Sequence, residues 1–444
     1  MVAKLFAGLA PSVESAVLDP GCGGGAFISG ILRACQANGW VIPRIIGVEQ
    51  DPARAAATRA EFRGVPQVEI REGDFLQPVS DRYDFIVGNP PYVSILGLNL
   101  TERADYRARY QTAAGRFDLY ALFFEQALRL LAPGGRLVFI TPEKFLYVET
   151  ARPLRHLLRQ RGVEELHFTG EDTFAGRVTY PLITTVCNRP GTMPTRIIRR
   201  DGRSTRVQLG SDDSWLPAIQ GFVANGVSDL LTLGDVCLRV SAGVATGADG
   251  IFVHPTGTLP PSLRHFAHPT ISGRQITPQG EMVLTSSLLA PYDPQGRLLA
   301  EHRLGALGAF LSDPGRRRRL EGRTCAERKP WYSFHDNLPL LEMLRPKLLC
   351  KDITEAPFFV VDEAGDLVPR HTVYYAVPAD PADLERLAAY LNSEPAREWL
   401  RAHCQRAANG YLRMQSHVLK RLPVPGDLVG RRAARRLQAE LLPA

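Results

Sequence analysis

Short apolar runs recur through the first 190 residues, separated by stretches in which apolar side chains return every three or four positions. The runs AVLDP (16–20), RIIGVE (44–49), QVEI (67–70), YDFIVG (83–88), RLVFIT (136–141), VEELHF (163–168) and YPLITTVC (180–187) have strand length and strand composition. Helical patterns lie between most of them. FDLYALFFEQALRLLAPGG is the clearest, with Asp118 expected as its N-cap and Pro133-Gly134-Gly135 as its stop. ARPLRHLLRQRG is another, closed by Gly162. This alternation predicts an α/β domain over 1–190, with a mostly parallel sheet covered by helices on both faces. Ligands on such sheets bind beyond the carboxyl ends of the strands, near the point where the strand order reverses. Chemistry is therefore sought just after each strand.

The pattern changes after residue 190. Residues 191–232 carry polar and basic stretches such as RIIRRDGRSTRVQLGSDDSW and read as a connecting region rather than core. From 233 to 444 the chain is irregular and rich in Pro and Gly, with short strand signals and a helix-pair pattern over 387–425. A second, mixed α+β domain is expected there. The length of 444 residues exceeds the usual single domain, and 45% hydrophobic residues allow a sizeable core. The chain has no apolar run long enough to span a membrane. The opening MVAKLFAGLAPSVESAV, broken by Pro11 and Glu14, is too short for a secretory signal and reads as a helix end.

Seven scattered cysteines, with no Cys-x-x-Cys pair, argue against a disulfide framework or a zinc site and fit a reducing cytosol. No metal is expected. Residues 1–190 hold 21 Lys and Arg against 20 Asp and Glu, leaving 32 against 26 for the rest. The basic excess therefore sits in the second half, which favours a polyanionic partner, most simply nucleic acid.

Three strand ends carry related chemistry. The first strand ends at Asp19 and turns through Gly21, Gly23, Gly24 and Gly25 into a helix, where backbone amides can approach a ligand closely. Tight strand–helix turns need glycine anyway, so this signal alone is weak. The second strand ends at Glu49, placed to accept from ribose hydroxyls. After the third come Asp74, an acceptor for an exocyclic amine, and Phe75, a flank for a purine. Together they point to an adenosine cofactor. A carboxylate at the loop entrance would repel phosphate and suits an ammonium group. S-adenosylmethionine combines an ammonium, a ribose and an adenine.

The fourth strand delivers Asn89-Pro90-Pro91-Tyr92 beside that cofactor. An exocyclic aromatic amine is a poor nucleophile, because its lone pair is delocalised into the ring. The Asn89 side-chain oxygen and the Pro90 carbonyl can accept its two N–H bonds and favour a more tetrahedral nitrogen. Prolines fix φ and remove backbone donors. Tyr92 offers a face for a flipped base.

LDPGCGGGAF, GVEQDP, GDFL, IVGNPPY, FDLYALFFEQALRLLAPGGRLVFITPEKFL and FTGEDTFAGRVTYPLITTV resemble, in order, the motifs of gamma-group N6-adenine DNA methyltransferases of type II restriction–modification. The resemblance implies a Rossmann-like S-adenosylmethionine-dependent sheet and a C-terminal DNA-recognition domain at 233–444. It implies that Asp19, Pro20, Gly21, Cys22, Gly23, Glu49, Gln50, Asp74, Phe75 and Asn89 hold the cofactor. It assigns Asn89, Pro90, Pro91 and Tyr92 to the target adenine, with Phe174 stacking on its other face. The family usually has a Thr-Pro segment and a helix before the first motif. MVAKLFAGL resembles the end of that helix, so either the native start lies upstream, through truncation or a mis-set start codon, or the preceding element comes from elsewhere, or cofactor binding is weakened.

Arg274, Arg316 to Arg319, Lys329, Trp331, Lys347, Lys351, Arg370 and Arg413 are candidates for DNA contacts, each weighed against an exposed solvated charge. The chain shows no nuclease motif, so restriction would need a separate endonuclease partner. Related Asn-Pro-Pro-Tyr signatures also serve enzymes of protein glutamine and of guanine amines in RNA, and cytosine N4 is chemically close. A DNA-binding subunit with weakened catalysis is the non-enzymatic alternative. The basic second half is what favours DNA over the others.

Overall fold

A computed structural model of the chain describes residues 1–78, 80–169, 181–189, 191, 193–210, 214–221, 231–407 and 411–428. The chain divides into two compact units, Met1–Val223 and Ala224–Ala444, and each is described by itself.

In the first unit nine strands make one sheet. They are β1 (Ala16–Asp19), β2 (Arg44–Glu49), β3 (Val68–Glu72), β4 (Tyr83–Gly88), β5 (Leu131–Pro142), β6 (Val163–Phe168), β7 (Pro181–Cys187), β8 (Thr195–Ile198) and β9 (Ser204–Val207). Their order is β3-β2-β1-β4-β5-β7-β6-β8-β9. The strands from β3 to β5 in that order run parallel, and β7 is antiparallel to both β5 and β6. The order reverses at β1, which lies between β2 and β4. That reversal opens a crevice at the carboxyl ends of β1 and β4.

Side chains on these strands alternate between two apolar cores, as the period of two requires. Val17, Ile45, Phe85, Val87, Val138 and Ile140 face one core, shared with α1 (Val2–Leu5), α2 (Ala26–Asn38) and α3 (Pro52–Glu61). Leu18, Ile46, Ile86, Leu137 and Phe139 face the other, shared with α4 (Leu100–Arg109), α5 (Leu119–Leu130) and α6 (Arg152–Arg161). The α5 helix is apolar nearly all round, and Tyr120 to Leu128 and Leu130 are all buried. Each of its large side chains contributes about 1.5–3 kcal/mol by leaving water.

Three local expectations need correcting. Pro133-Gly134-Gly135 does not stop a helix ahead of a separate strand; it is an excursion within β5, with a register shift opposite β4 and Gly134 at φ +75°. Asp118 is the N-cap residue of α5, but its side chain makes no capping hydrogen bond and pairs with Lys144 instead. The connecting region expected over 191–232 does not hold over its first part. There β8 and β9 extend the sheet, and α7 (Leu216–Gln220) follows Trp215, which is 1% exposed in the second core. Thr195 and Ile197 are buried in β8 while Arg196 between them is exposed, so the basic composition reflects only the outer face.

The second unit is built from small sheets. One runs Cys237–Ala242, Val373–Pro378, Lys347–Lys351, Val360–Asp362, all antiparallel. Another runs Val253–Pro255, Ser286–Leu289, Ala267–Ile271, Val368–Pro369. A third pairs Ile353–Thr354, Leu412–Arg413 and Gln405–Arg406, and Leu231–Thr232 pairs with Pro423–Val424. Helices Leu384–Leu391 and Glu394–His403 pack on the first of these sheets through Leu387, Leu391 and Leu400. Among the described residues no helix is long and apolar enough to cross a membrane.

Candidate active site

The loop after β1 is held from two sides. Cys22 N–H donates to the Val48 carbonyl at 2.9 Å, and Thr58 Oγ1 in α3 donates to the Gly23 carbonyl at 2.6 Å. Gly25 begins α2 at φ +73°, and a Cβ there would lie 2.3 Å from the Phe62 ring, so glycine is required twice over.

Asp19 at the end of β1 is fully buried. Its Oδ1 accepts from Gly21 N–H at 3.4 Å, and its Oδ2 has no hydrogen-bond partner among the described residues. Burial pushes the Asp19 carboxyl up to about 7, the Gly21 amide opposes the rise, and the charge of Glu49 adds to it. A buried acceptor with an unmet lone pair calls for a donor, and a cationic one would hold it ionised. Glu49 ends β2 at 6% exposure. Its Oε2 accepts from Gly23 N–H at 3.0 Å, its Oε1 from Asp51 N–H at 2.8 Å, and Arg54 stands 3.1 Å away. It ties the glycine loop to the second strand end while its oxygens keep lone pairs for hydroxyl donors. Gln50 beside it is exposed.

Cys22 is a packing residue. Burial, with Asp19 and Glu49 nearby, pushes its thiol up to about 12, so it carries no thiolate chemistry. After β3, Asp74 Oδ1 accepts from Leu76 N–H at 2.9 Å and Oδ2 from Gln77 Nε2 at 3.3 Å. Phe75 is buried, with its ring 5.1 Å from Phe123 of α5. Phe123 also lies 4.0 Å from where a Cβ on Gly21 would stand, so it bridges the first and third strand ends. Sequence reading missed Phe123, because on an apolar helix it looks like any core aromatic.

β4 brings Asn89-Pro90-Pro91-Tyr92 to the same crevice. A Cβ on Gly88 would meet Pro20 Cδ at 3.1 Å and the Phe139 ring at 3.3 Å, so the loop after β1 lies directly against the end of β4. Pro90 is buried and Asn89 is exposed, and the Asn89 amide makes no hydrogen bond to the described residues. The Tyr92 hydroxyl donates to the Ile140 carbonyl of β5 at 3.2 Å, and burial raises its pKa well above the ordinary phenol. This fixes the ring in a neutral, anchored state. Phe174 lies outside the described residues.

The cationic candidates of the second unit separate into tied and untied groups. Arg316 donates to the Phe310 carbonyl at 2.9 Å and lies over its ring; Arg317 pairs with Glu321 at 2.8 Å and covers Trp331. Both sit within helix Pro314–Glu321 rather than at its end alone. Lys329 donates to the His335 carbonyl and to Asn337, and Trp331 Nε1 to Glu301 at 3.3 Å. Two candidates must be withdrawn from DNA contact. Lys347 is fully buried and paired with Asp362, because that charge sits inside a sheet. Arg370 is turned inward onto Asp249 and Gln275. Arg274, Lys351 and Arg413 make no hydrogen bond or ion pair with the described residues, nor do the side chains of Arg318 and Arg319.

A parallel sheet that reverses at β1, with carboxylates closing its first strands and an Asn-Pro-Pro-Tyr turn on β4, defines a methyltransferase of the Rossmann-like class. The model of the Eco57I restriction-modification methylase family matches residues 49–174. The type II methyltransferase M.PaeR7I of Pseudomonas aeruginosa is 29% identical over 94% of this chain and 82% of its own length. The type II methyltransferase M.XhoI of Xanthomonas vasicola is 30% identical over 84% of this chain and 74% of its own. The type IIL restriction-modification enzyme MmeI, solved in complex with DNA, shares the fold with a TM-score of 0.64 at 13% identity, over 92% of this chain and 61% of that longer one. The chain belongs to the type II methyltransferases of restriction–modification. Its cofactor is S-adenosylmethionine, and the unmet Asp19 oxygen fits the ammonium of that molecule.

Proposed function

We propose that the chain methylates the N6 amino group of an adenine turned out of duplex DNA, acting in the bacterial cytosol as the modification arm of a restriction–modification system. The observation that carries this reading is the Asn89-Pro90-Pro91-Tyr92 turn at the reversal of the sheet, packed against the Asp19-Pro20 loop, with an uncommitted Asn89 amide. The cofactor, when bound, supplies an activated methyl group on a sulfonium. Asp19 holds its ammonium, Glu49 its ribose hydroxyls, and Asp74 its adenine amine. The Asn89 side-chain oxygen and the Pro90 carbonyl accept the two N–H bonds of the target amine and free its lone pair. Tyr92 presents a ring face to the base, and Phe174 is assigned the opposite face. No strong base is required, since the methylated cationic amine loses its proton readily. Alignment is the main contribution of the protein, and it is what in-line transfer rewards most.

The second unit is assigned to target recognition. Its basic excess supports this, and so does the sharing of its fold with an enzyme solved on DNA. A separate endonuclease would complete the system. The test uses tritiated S-adenosylmethionine with duplex DNA, RNA and a release factor, followed by nucleoside analysis and sequencing of the methylated duplex. Label in N6-methyladenine is expected. Label only in protein, RNA or cytosine would overturn the assignment.

A further inference from the structure

The second unit contains a cavity of about 210 Å³ that the methyl-transfer site does not use. Lys351, Ile353, Glu355, Phe358 and Tyr411 are among the residues that line it. It is too small for a cofactor, whose pockets typically run about 300–1,000 Å³, and suits a single planar or side-chain-sized group. Its walls are fixed. Gly280 lies at φ +87° with the Phe358 ring 2.1 Å from where a Cβ would be, so the turn Thr277–Glu281 packs directly against that ring. Asp352 ties the strand segment beside the cavity to the chain after Arg413, accepting from Ile353 N–H at 2.8 Å and, through its carbonyl, from Met414 N–H at 2.7 Å.

One untied cation lines this cavity, and two more lie close to its lining residues in register or sequence. Lys351 lines it. Arg413 is the antiparallel partner of Ile353, and directly opposed residues present their side chains to the same face. Arg413 therefore stands beside Ile353 on one face of that small sheet, exposed and within electrostatic reach of Asp352. Tyr411, two residues earlier and 39% exposed, lines the cavity as well. Arg274 lies two residues from Ile276, another lining residue, within about 7 Å along the chain. Glu355 is the one acid among the lining residues, exposed and without a partner among the described residues. Among the described residues elsewhere in the unit, most arginines are satisfied by carbonyls, carboxylates or rings. Here donors and one acceptor are left open on a rigid wall.

We propose that this face reads a guanine–cytosine pair of the target sequence in the major groove. Arg413 donates in bidentate fashion to the guanine N7 and O6, and Glu355 accepts from the cytosine amine, the pairings that base-edge geometry favours. Lys351 and Arg274 contact flanking phosphates. The assignment rests on the DNA-methylating reading above and deepens it by naming which residues read which base pair.

The test takes the full chain and the target sequence identified by sequencing. Arg413→Ala, Glu355→Gln, Arg274→Ala and Lys351→Ala are assayed on the cognate duplex and on duplexes altered one pair at a time. Arg413→Ala is expected to lower kcat/KM on the cognate duplex about 10- to 100-fold while losing discrimination at one G·C pair only. Glu355→Gln should relax the same pair. Arg274→Ala and Lys351→Ala should weaken all duplexes alike, each reducing the slope of log affinity against log salt by about 1. Unchanged discrimination in Arg413→Ala, an equal loss at every pair, or a target without a G·C pair would overturn the assignment. A wild-type chain that methylates no duplex would instead overturn the proposed function, and this assignment with it.

Discussion

The two units handle charge in opposite ways. In the first, the charges that matter are carboxylates at the buried ends of parallel strands, Asp19 at 0% and Glu49 at 6% exposure. Their positions are fixed by the sheet before any ligand arrives. In the second, the buried charges are structural, as with Lys347 and Asp362, while the side chains open to a partner stand on short strands and turns. Group transfer needs preorganised geometry and therefore a core; recognition needs an accessible, changeable surface. The difference predicts that substitutions in the first unit act on the rate of transfer and those in the second on where transfer happens.

The largest effect should come from Asn89→Ala. The amide lies at the surface and holds nothing else among the described residues, so folding and cofactor affinity should stay within about twofold. Loss of the acceptor for the target amine should lower kcat about 10²- to 10³-fold, the range for removal of a group that acts on the developing charge. Single-turnover transfer and calorimetric cofactor binding on the same preparation separate the two. Substantial turnover would show that the turn after β4 is only a turn.

Next in size is a substitution that affects stability. Asp362 holds the fully buried Lys347 and also accepts from Gly365 N–H at 3.0 Å and Leu367 N–H at 3.3 Å. Asp362→Ala strands an ammonium in the sheet, and breaking a buried pair from one side costs about 3–5 kcal/mol. Lys347→Met should cost less, since Asp362 keeps its two amides. Denaturant unfolding checks the order, and a larger loss in Lys347→Met would reverse it.

Much of the first unit was legible in sequence, because its strands announce themselves twice: by period and by the chemistry at their ends. The expected bounds of β2, β4 and β6 are those found. What was hidden depended on neighbours distant in sequence. β8 and β9 look like linker because they bury only Thr195 and Ile197 fully while Arg196 and Arg206 stand exposed, and Trp215 follows the polar run SDDS. Lys347 sits in RPKLLCK, where its charge reads as surface until a sheet closes around it. Phe123 acquires a place at the site only when α5 crosses the glycine loop. In the second unit, spacing cannot tell a tied arginine from an open one. Three-dimensional partners make that distinction. A boundary at 223 rather than 190 follows, so truncation after Val223 should leave a folded cofactor unit, whereas a cut at 190 removes β8, β9 and Trp215 from its core.

A more modest effect is expected from pH. The folded Asp19 carboxyl titrates near 7, above its ordinary value of 3.8. The folded protein therefore holds a proton that the unfolded chain has lost between these values. From this group, stability in the absence of cofactor falls as pH rises through that window and levels off above 7. Cofactor binding follows the opposite course, because the ammonium requires the carboxylate. Affinity should drop roughly five- to tenfold between pH 7.5 and 6. Asp19→Asn should flatten this dependence while weakening binding throughout. A profile unchanged by Asp19→Asn would place the ammonium elsewhere.

The smallest effect is the sharpest test of the distinction between tied and untied cations. Arg317 and Arg413 are both exposed arginines in a basic unit, and composition cannot tell them apart. Arg317 is engaged by Glu321 at 2.8 Å and covers Trp331 with its guanidinium 4.8 Å from the ring centre. Moving it to DNA would forfeit both contacts, so its net gain there is small. Arg317→Ala should change DNA affinity by less than about twofold and leave the salt slope unaltered, since an exposed i,i+4 pair contributes little by itself. Arg413→Ala, at equal loss of charge, should not be silent. If the two substitutions weaken DNA binding equally at every salt concentration, net charge rather than local partnership governs this surface, and the comparison between fixed and open charges fails in the second unit while still holding in the first.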